Sequence, residues 1–384
     1  MGVARGPDAK PLRVALKIAF DSQIFIHQAY GGVSRYIYEL AQHLNATEDT
    51  TVRVYAPLHR NAYFEGLPRA IRGRTYRLPF LRGTTKAVET ITSLLSASHI
   101  RSFRPDILHQ TYYKLGVRAP RGAKRVLTVH DMIFERFPEL FQNVGSLRAV
   151  KREAIQSSDQ IICISRQTQL DLIQFYDVKE ERTSVVHHGF EVNIPDLRLP
   201  KQAAMFARPY ILYVGSRGAQ KNFERFVSAY ASSPLLRRQY MVVCFGGAPF
   251  NRQEELLMAN LGLLPECIIQ IGGGDSVLAN LYMRAELFVY PSLYEGFGIP
   301  PLEAMSFGCP VVCSDGGSIP EVVGDAALYF NPFDEEAMRS AIEKVVTSSE
   351  VATRLRARGK VRCREYSWAK CASETRAVYT AVLA

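Results

Sequence analysis

Two carboxylates bracket a glycine-rich segment in the run Pro291-Ser-Leu-Tyr-Glu-Gly-Phe-Gly-Ile-Pro-Pro-Leu-Glu303. Glu295 precedes the glycines and Glu303 follows them. The run ELFVY before it reads as a strand ending at Tyr290. Pro300 and Pro301 suit the first turn of a helix, where a missing N–H is tolerated. Gly296 and Gly298 permit a tight loop with an accessible backbone. Backbone N–H groups of Gly296, Phe297, Gly298 and Ile299, together with the positive end of a helix, favour an anion such as phosphate. A carboxylate repels phosphate but accepts hydrogen bonds from sugar hydroxyls. The ligand that carries both groups is a sugar nucleotide. On residue types alone, a Gly/Pro turn whose glutamate caps a helix accounts for the same pattern.

A second segment, Tyr213-Val-Gly-Ser-Arg-Gly-Ala-Gln-Lys221-Asn222, joins a strand end to a helix start. Lys221 offers a point charge to a diphosphate, and Arg217 a planar, bidentate one. A solvated lysine is the plainer alternative. Gly31-Gly32 lies between the first strand and a helix carrying Arg35, where a backbone can approach a ligand, and a structural glycine turn accounts for the pair equally well. His130-Asp131, Ser165 and Ile271 each stand at a predicted strand end, where α/β sheets present ligand-binding groups, although a lone histidine at such a place is more often structural. His187 and His188 are adjacent on a strand and so point to opposite faces, a poor arrangement for a metal. The sequence has no D-x-D pair, no phosphate-loop motif, no G-x-G-x-x-G after the first strand and no G-x-S-x-G elbow.

Alternating strands and helices position these residues. RVALKIAFD, TVRVYAPL, DILHQT, RVLTVHD, QIICIS and TSVVHHGF read as strands separated by helical or loop segments. The region over residues 193–209 carries Pro195, Pro200 and Pro209 without periodicity and reads as a linker. The pattern then restarts with PYILYVGS, MVVCFGG, CIIQIGG, ELFVYPS, PVVCSD and ALYF. An α/β chain of two Rossmann-like halves facing a central ligand cleft is the simplest account. The expected domains are residues 1–195, residues 196–365, and a C-terminal helix over 366–384 with Trp368, Ala372, Val378, Tyr379 and Val382 inward.

The 384 residues are 47% apolar, enough for two cores. No apolar run approaches the ~20 residues of a membrane span, and no signal peptide is read at the N-terminus. The seven cysteines are scattered and odd in number, as for buried free thiols in a reducing cytosol. The net charge of +10 is lopsided: residues 51–125 hold 15 basic and 3 acidic residues. That stretch suggests an anionic partner, such as a phospholipid surface or a lipid diphosphate. A nucleic-acid-binding reading of the basic half leaves the Glu295–Glu303 block unexplained, and no nucleic-acid partner is expected.

PSLYEGFGIPPLEAMSFGCPVVCSD followed by GSIPEVVGDAALYFNPFD resembles the donor-site signature of retaining glycosyltransferases of family 4, which have the GT-B fold. GGVSRYIYEL, TVHDMIFERFPE, ISRQTQLDL, YVGSRGAQKNF and YSWAKCASETRAVY extend the resemblance over roughly residues 12–382. It implies a metal-independent hexosyltransferase without a cofactor, whose C-terminal helix returns to the N-terminal domain. It gives Lys221 and, one place out of the usual register, Arg217 to the donor diphosphate. Glu303 falls to the ribose, Glu295 to the transferred sugar, Gly32 to the donor side, and Ile271 to the base pocket. His130 is matched to the histidine that reaches the donor sugar. Asp131, Arg35 and Ser165 are left for the acceptor. Mannosyltransferase-type members are the most similar, which implies GDP-mannose as donor and a glycan or lipid-linked acceptor in surface polysaccharide or lipopolysaccharide assembly. Such an enzyme is cytoplasmic, with peripheral contact to an anionic membrane. Another GT-B enzyme, such as a sugar-nucleotide epimerase, and a catalytically silent sugar-binding homologue remain alternatives.

Overall fold

The computed structural model describes residues 15–79, 81, 83–114, 116–192, 206 and 208–384. Most of the expected linker, and the expected boundary at residue 195, lie outside the described residues. The chain forms two compact units. One comprises Met1–Thr128, Val150–Ile161 and Ala372–Ala384; the other comprises Val129–Ala149 and Ile162–Cys371.

The strands in chain order are β1 (Leu16–Phe20), β2 (Thr50–Val54), β3 (Leu58–His59), β4 (Tyr76–Arg77), β5 (Ile107–Gln110), β6 (Lys124–Val129), β7 (Gln160–Cys163) and β8 (Thr183–Val185). They continue with β9 (Tyr210–Val214), β10 (Met241–Phe245), β11 (Ile268–Ile271), β12 (Leu287–Tyr290), β13 (Val311–Ser314) and β14 (Ala327–Phe330). One six-stranded sheet runs β2-β1-β5-β6-β7-β8 and another runs β11-β10-β9-β12-β13-β14, with β3 and β4 as a small separate pair. The two six-stranded sheets are Rossmann-like, as the alternating pattern requires.

The second sheet shows why its strands are continuous apolar runs. Ile211, Val242, Leu287, Val289 and Val312 pack into one core cluster. Their neighbours Leu212, Val243, Phe288, Tyr290 and Val311 pack into another. Residues alternate between the faces of a strand, so both faces are covered and both must be apolar. β9 pairs in parallel with β10 on one side and with β12 on the other. The chain order therefore reverses between β9 and β12. At such a point the connections diverge from adjacent strand ends and leave a crevice for a ligand.

In the first unit, the helix Gly32–Asn45 buries Tyr36, Ile37, Leu40 and Leu44 along one face. Tyr379 is fully buried beside His109, with its hydroxyl on Nδ1, while His109 Nε2 lies 2.9 Å from Thr128 Oγ1. The helix Trp368–Leu383 buries Trp368, Ala372 and Tyr379, but Val378 and Val382 are only half-buried. Cys371 and Thr375 take the inward positions instead, because the stripe 368, 371, 372, 375, 379 follows the helical repeat more closely. None of the seven cysteines is in a disulfide; Cys363 alone is half-buried rather than buried. Among the described residues no helix is long and apolar enough to cross a membrane.

Candidate active site

The segments that follow β9 and β12 carry the residues singled out from the sequence. Lys221 ends a short turn, Ala219–Lys221, after β9. Glu295 lies in the loop after β12. Lys221 Nζ donates to Glu295 Oε1 at 2.6 Å, with the two side chains 23% and 16% exposed. The ammonium also stands 5.9 Å from the centre of the Tyr290 ring. Burial, reinforced by the Glu295 carboxylate, pushes the Tyr290 phenol well up, so it stays protonated and hydrogen-bonds Glu295. The expected cation and the expected sugar-binding carboxylate thus form one half-buried pair at the switch point.

The loop leading to the helix Ile299–Ser306 is held from behind. A Cβ on Gly296 would come within 1.7 Å of the His130 carbonyl oxygen, so only glycine fits there. Gly298 adopts φ +100°, a left-handed conformation that favours glycine. The Ser318 hydroxyl lies 2.9 Å from the Glu295 carbonyl oxygen and 3.1 Å from that of Phe297. Thr168 Oγ1 donates to the Gly296 carbonyl at 3.4 Å, and Ser314 Oγ to that of Ser292 at 2.5 Å. Hydroxyls thus engage the carbonyls of the loop. Gly316 and Gly317 let their segment lie against it: a Cβ on Gly316 would meet the Leu293 carbonyl oxygen at 2.3 Å. Tyr294 anchors the loop sideways, its hydroxyl donating to the fully buried Asp171 at 2.7 Å. Asp171 in turn pairs with Arg136.

The helix begins one residue before the prolines, so Glu303 stands on its second turn. Tyr282 Oη donates to Glu303 Oε2 at 3.1 Å and holds the half-buried carboxylate in place. Pro300 and Pro301 supply no N–H, so the amide donors at this helix end are those of Gly298 and Ile299. Phe297 is buried, its ring 5.5 Å from that of His188 and 5.4 Å from that of Tyr366. His130 is buried in the same unit, its ring 6.3 Å from that of His188.

Other expected residues have different neighbours. Arg217 is committed elsewhere: Nε donates to Glu254 at 2.7 Å, both side chains are under a tenth exposed, and the guanidinium lies 4.7 Å from the Phe250 ring centre. The guanidinium expected on the diphosphate is thus held by Glu254 in this structure, as Lys221 is by Glu295. Ser165 is fully buried and caps the helix Arg166–Tyr176, accepting from the Thr168 N–H at 3.0 Å. The serine expected on the acceptor thus serves as a helix cap in this structure. Asp131 Oδ1 accepts from the Ile133 N–H at 3.1 Å, stabilising the turn after β6. The Ile271 carbonyl accepts from the Gly246 N–H at 3.1 Å at the end of β11. In the first unit Gly32 is exposed, with no atom within 4 Å of where a Cβ would stand, and Arg35 lies 4.0 Å from Glu39. His187 pairs with Glu321 at 2.7 Å, and the His188 ring stands 5.4 Å from that of Trp368; both histidines follow β8, which ends at Val185, and so do not lie on a strand as expected.

Sequence reasoning missed the supporting hydroxyls of Ser318, Thr168, Tyr282 and Tyr290. The one available signal was Gly316-Gly317-Ser318 just after a strand, a backbone that can approach closely followed by a donor.

Two family models match the chain: Glycosyltransferase Family 4 over residues 30–193 and Glycosyl transferases group 1 over residues 200–362. The O-antigen chain mannosyltransferase B of Escherichia coli is 28% identical over 369 residues, covering 90% of this chain and 94% of that protein. The MMP alpha-(1->4)-mannosyltransferase of Mycolicibacterium hassiacum is 30% identical over 283 residues, covering 69% and 67%. Among solved structures, the sucrose-phosphate synthase of Thermosynechococcus elongatus superposes with a TM-score of 0.75 at 20% identity, covering 96% of this chain and 99% of that one. Two parallel Rossmann-like sheets, a glycine loop and helix at the switch point of the second, and these matches together make the chain a member of glycosyltransferase family 4 with the GT-B fold.

Proposed function

We propose that this glycosyltransferase moves mannose from GDP-mannose to a hydroxyl of a glycan or lipid-linked acceptor, with retention at the anomeric carbon and without a metal ion. The observation that carries the reading is the Lys221–Glu295 pair at the β9/β12 switch point, with Glu303 on the adjoining helix. A diphosphate bridging to Lys221 and to the Gly298 and Ile299 amides leaves Glu295 to accept from hydroxyls of the transferred sugar. Glu303, oriented by Tyr282, takes the ribose hydroxyls. His130, behind Gly296, contacts the sugar from the loop's other side. As the bond from the anomeric carbon to the phosphate oxygen breaks, negative charge develops on the diphosphate. The fixed Lys221 charge stabilises it without reorganisation. The acceptor oxygen bonds to the anomeric carbon from the face the diphosphate leaves, and its proton passes to the departing phosphate oxygen. We assign the donor to residues 196–365 and the acceptor's reacting hydroxyl to residues 1–195. The mannosyltransferase relatives and the O-antigen chain named for one of them support mannose and a surface-polysaccharide role.

The outer face of the helix Thr85–Phe103 supports a peripheral membrane location. Ile91, Leu94 and Leu95 are exposed, Leu94 by 70%, with Lys86 and Arg101 on the same helix. Between residues 66 and 104 the only acid is Glu89, which is buried and paired with Lys114. An apolar strip set among bases fits the surface of an anionic bilayer.

Transfer itself tests the enzymatic reading. With GDP-mannose, a mannose-terminated lipid-linked acceptor and EDTA, an α-linked product by NMR is expected. Transfer from UDP-glucose alone, a β-linked product, or abolition by EDTA each contradicts a stated part.

A further inference from the structure

A second concavity in the same unit adjoins the loop that carries Glu295, with a volume of about 710 Å³. Leu293 and Asn222 form part of its wall, and the Leu293 N–H donates to the Gln220 carbonyl at 2.8 Å. The cavity therefore starts two residues from Glu295 and one from Lys221. Its chemistry differs from that of a phosphate site. Four carboxylates line it against two guanidinium groups. Arg217 is neutralised by Glu254. Arg225 donates to Asn222 Oδ1 at 3.0 Å and lies 5.3 Å from the Phe333 ring centre. The remaining carboxylates, Glu139, Glu224 and Glu335, are exposed and have no ion-pair or hydrogen-bond partner among the described residues. Phe333 is 57% exposed on one side of the cavity, and the half-buried Phe137 lines it too.

Uncommitted carboxylates accept hydrogen bonds from hydroxyls and repel phosphate. An exposed aromatic face offers its negative π cloud to the C–H bonds of a pyranose ring. A concave site of this size with an apolar wall and a few polar groups suits a small ligand. We infer that this groove is a subsite for a neutral oligosaccharide, and that it holds the already-built sugars of the glycan being extended. The last clause rests on the glycosyl-transfer reading above; the saccharide chemistry of the groove does not.

The double variant Phe333→Ala/Glu335→Gln tests it, since both side chains are exposed and their removal leaves the core intact. The probe is neutral mannotetraose, titrated calorimetrically into the full chain, with GDP titrated separately. Wild type is expected to bind mannotetraose, and the double variant to weaken it at least about tenfold (roughly 1.4 kcal/mol) with GDP affinity and melting temperature unchanged. Glu224→Gln, which keeps the shape and removes the charge, should weaken it less. No binding of mannotetraose to wild type, equal binding by wild type and the double variant, or displacement of mannotetraose by spermine at a cation site overturns the subsite. Failure of GDP to bind wild type overturns the donor reading instead, and leaves the mannotetraose result to be judged alone.

Discussion

Gly296 and Gly32 make opposite predictions at the residue scale. An alanine methyl at Gly296 collides with the His130 carbonyl oxygen, a backbone atom that cannot swing aside. Gly296→Ala is therefore expected to destabilise the fold by on the order of 2–3 kcal/mol, as overpacking does. At Gly32 the same methyl meets nothing. Gly32→Ala should change stability by less than about 0.5 kcal/mol, so that any loss of transfer there reports the approach of a ligand. Urea midpoints of the two variants check the pair, and equal destabilisation would contradict it. Residue chemistry was legible where composition and position coincide. Lys221 and Glu295 could each be marked at a strand end, and the family resemblance gave each a role, but only the pairing of β9 with β12 in the structure shows why they meet. Arg217 and Ser165 were not legible, since each has a second use that the sequence does not decide. A guanidinium serves a buried glutamate as well as a phosphate, and a serine before a helix caps it as readily as it meets a ligand.

At the scale of elements, the strands could be read because apolar runs bounded by glycine and proline leave few alternatives, and β9 to β14 fall within the runs that suggested them. The helix Ser349–Arg362 escaped notice: its sequence SEVATRLRARGKVR is strongly polar, and its few buried residues give a weak periodicity. At the helix Ile299–Ser306 the prolines fall in the first turn, as their residue type suggests, and the left-handed Gly298 sets the start one residue ahead of them. Packing of the first unit also sets a pH dependence. Burial pushes the His109 imidazole down to about 3 and that of His59 down to about 4, from an ordinary 6.5. Below pH 6.5 the unfolded chain takes up protons that these folded sites refuse. Stability is therefore full above that pH and falls as the pH drops towards 4, by up to roughly 1.4 kcal/mol per pH unit for each histidine. Denaturation midpoints between pH 7 and 4.5 check this, and His109→Gln should flatten the slope by about one proton. An unchanged slope in that variant would contradict the assignment.

For the whole molecule, charge and surface are divided by task. The basic excess lies in residues 51–125, and residues 201–384 are nearly balanced. The expected consequence is binding of the full chain to phosphatidylglycerol vesicles in flotation assays, weakening as salt rises. Ile91→Asp/Leu94→Asp should remove it without altering GDP affinity. No flotation at low salt, or flotation undiminished in that double variant, would contradict the membrane placement. On the proposed function, the donor is held by Lys221 after β9 and Glu303 on the helix after β12. Calorimetry of GDP-mannose binding in the presence of EDTA tests it most directly. Each of Lys221→Ala and Glu303→Ala removes a charge-assisted hydrogen bond worth about 1.5–3 kcal/mol, or roughly ten- to a hundredfold in Kd. Losses of that size in both variants, with the fold intact, are the predicted result; wild-type affinity in both would contradict it.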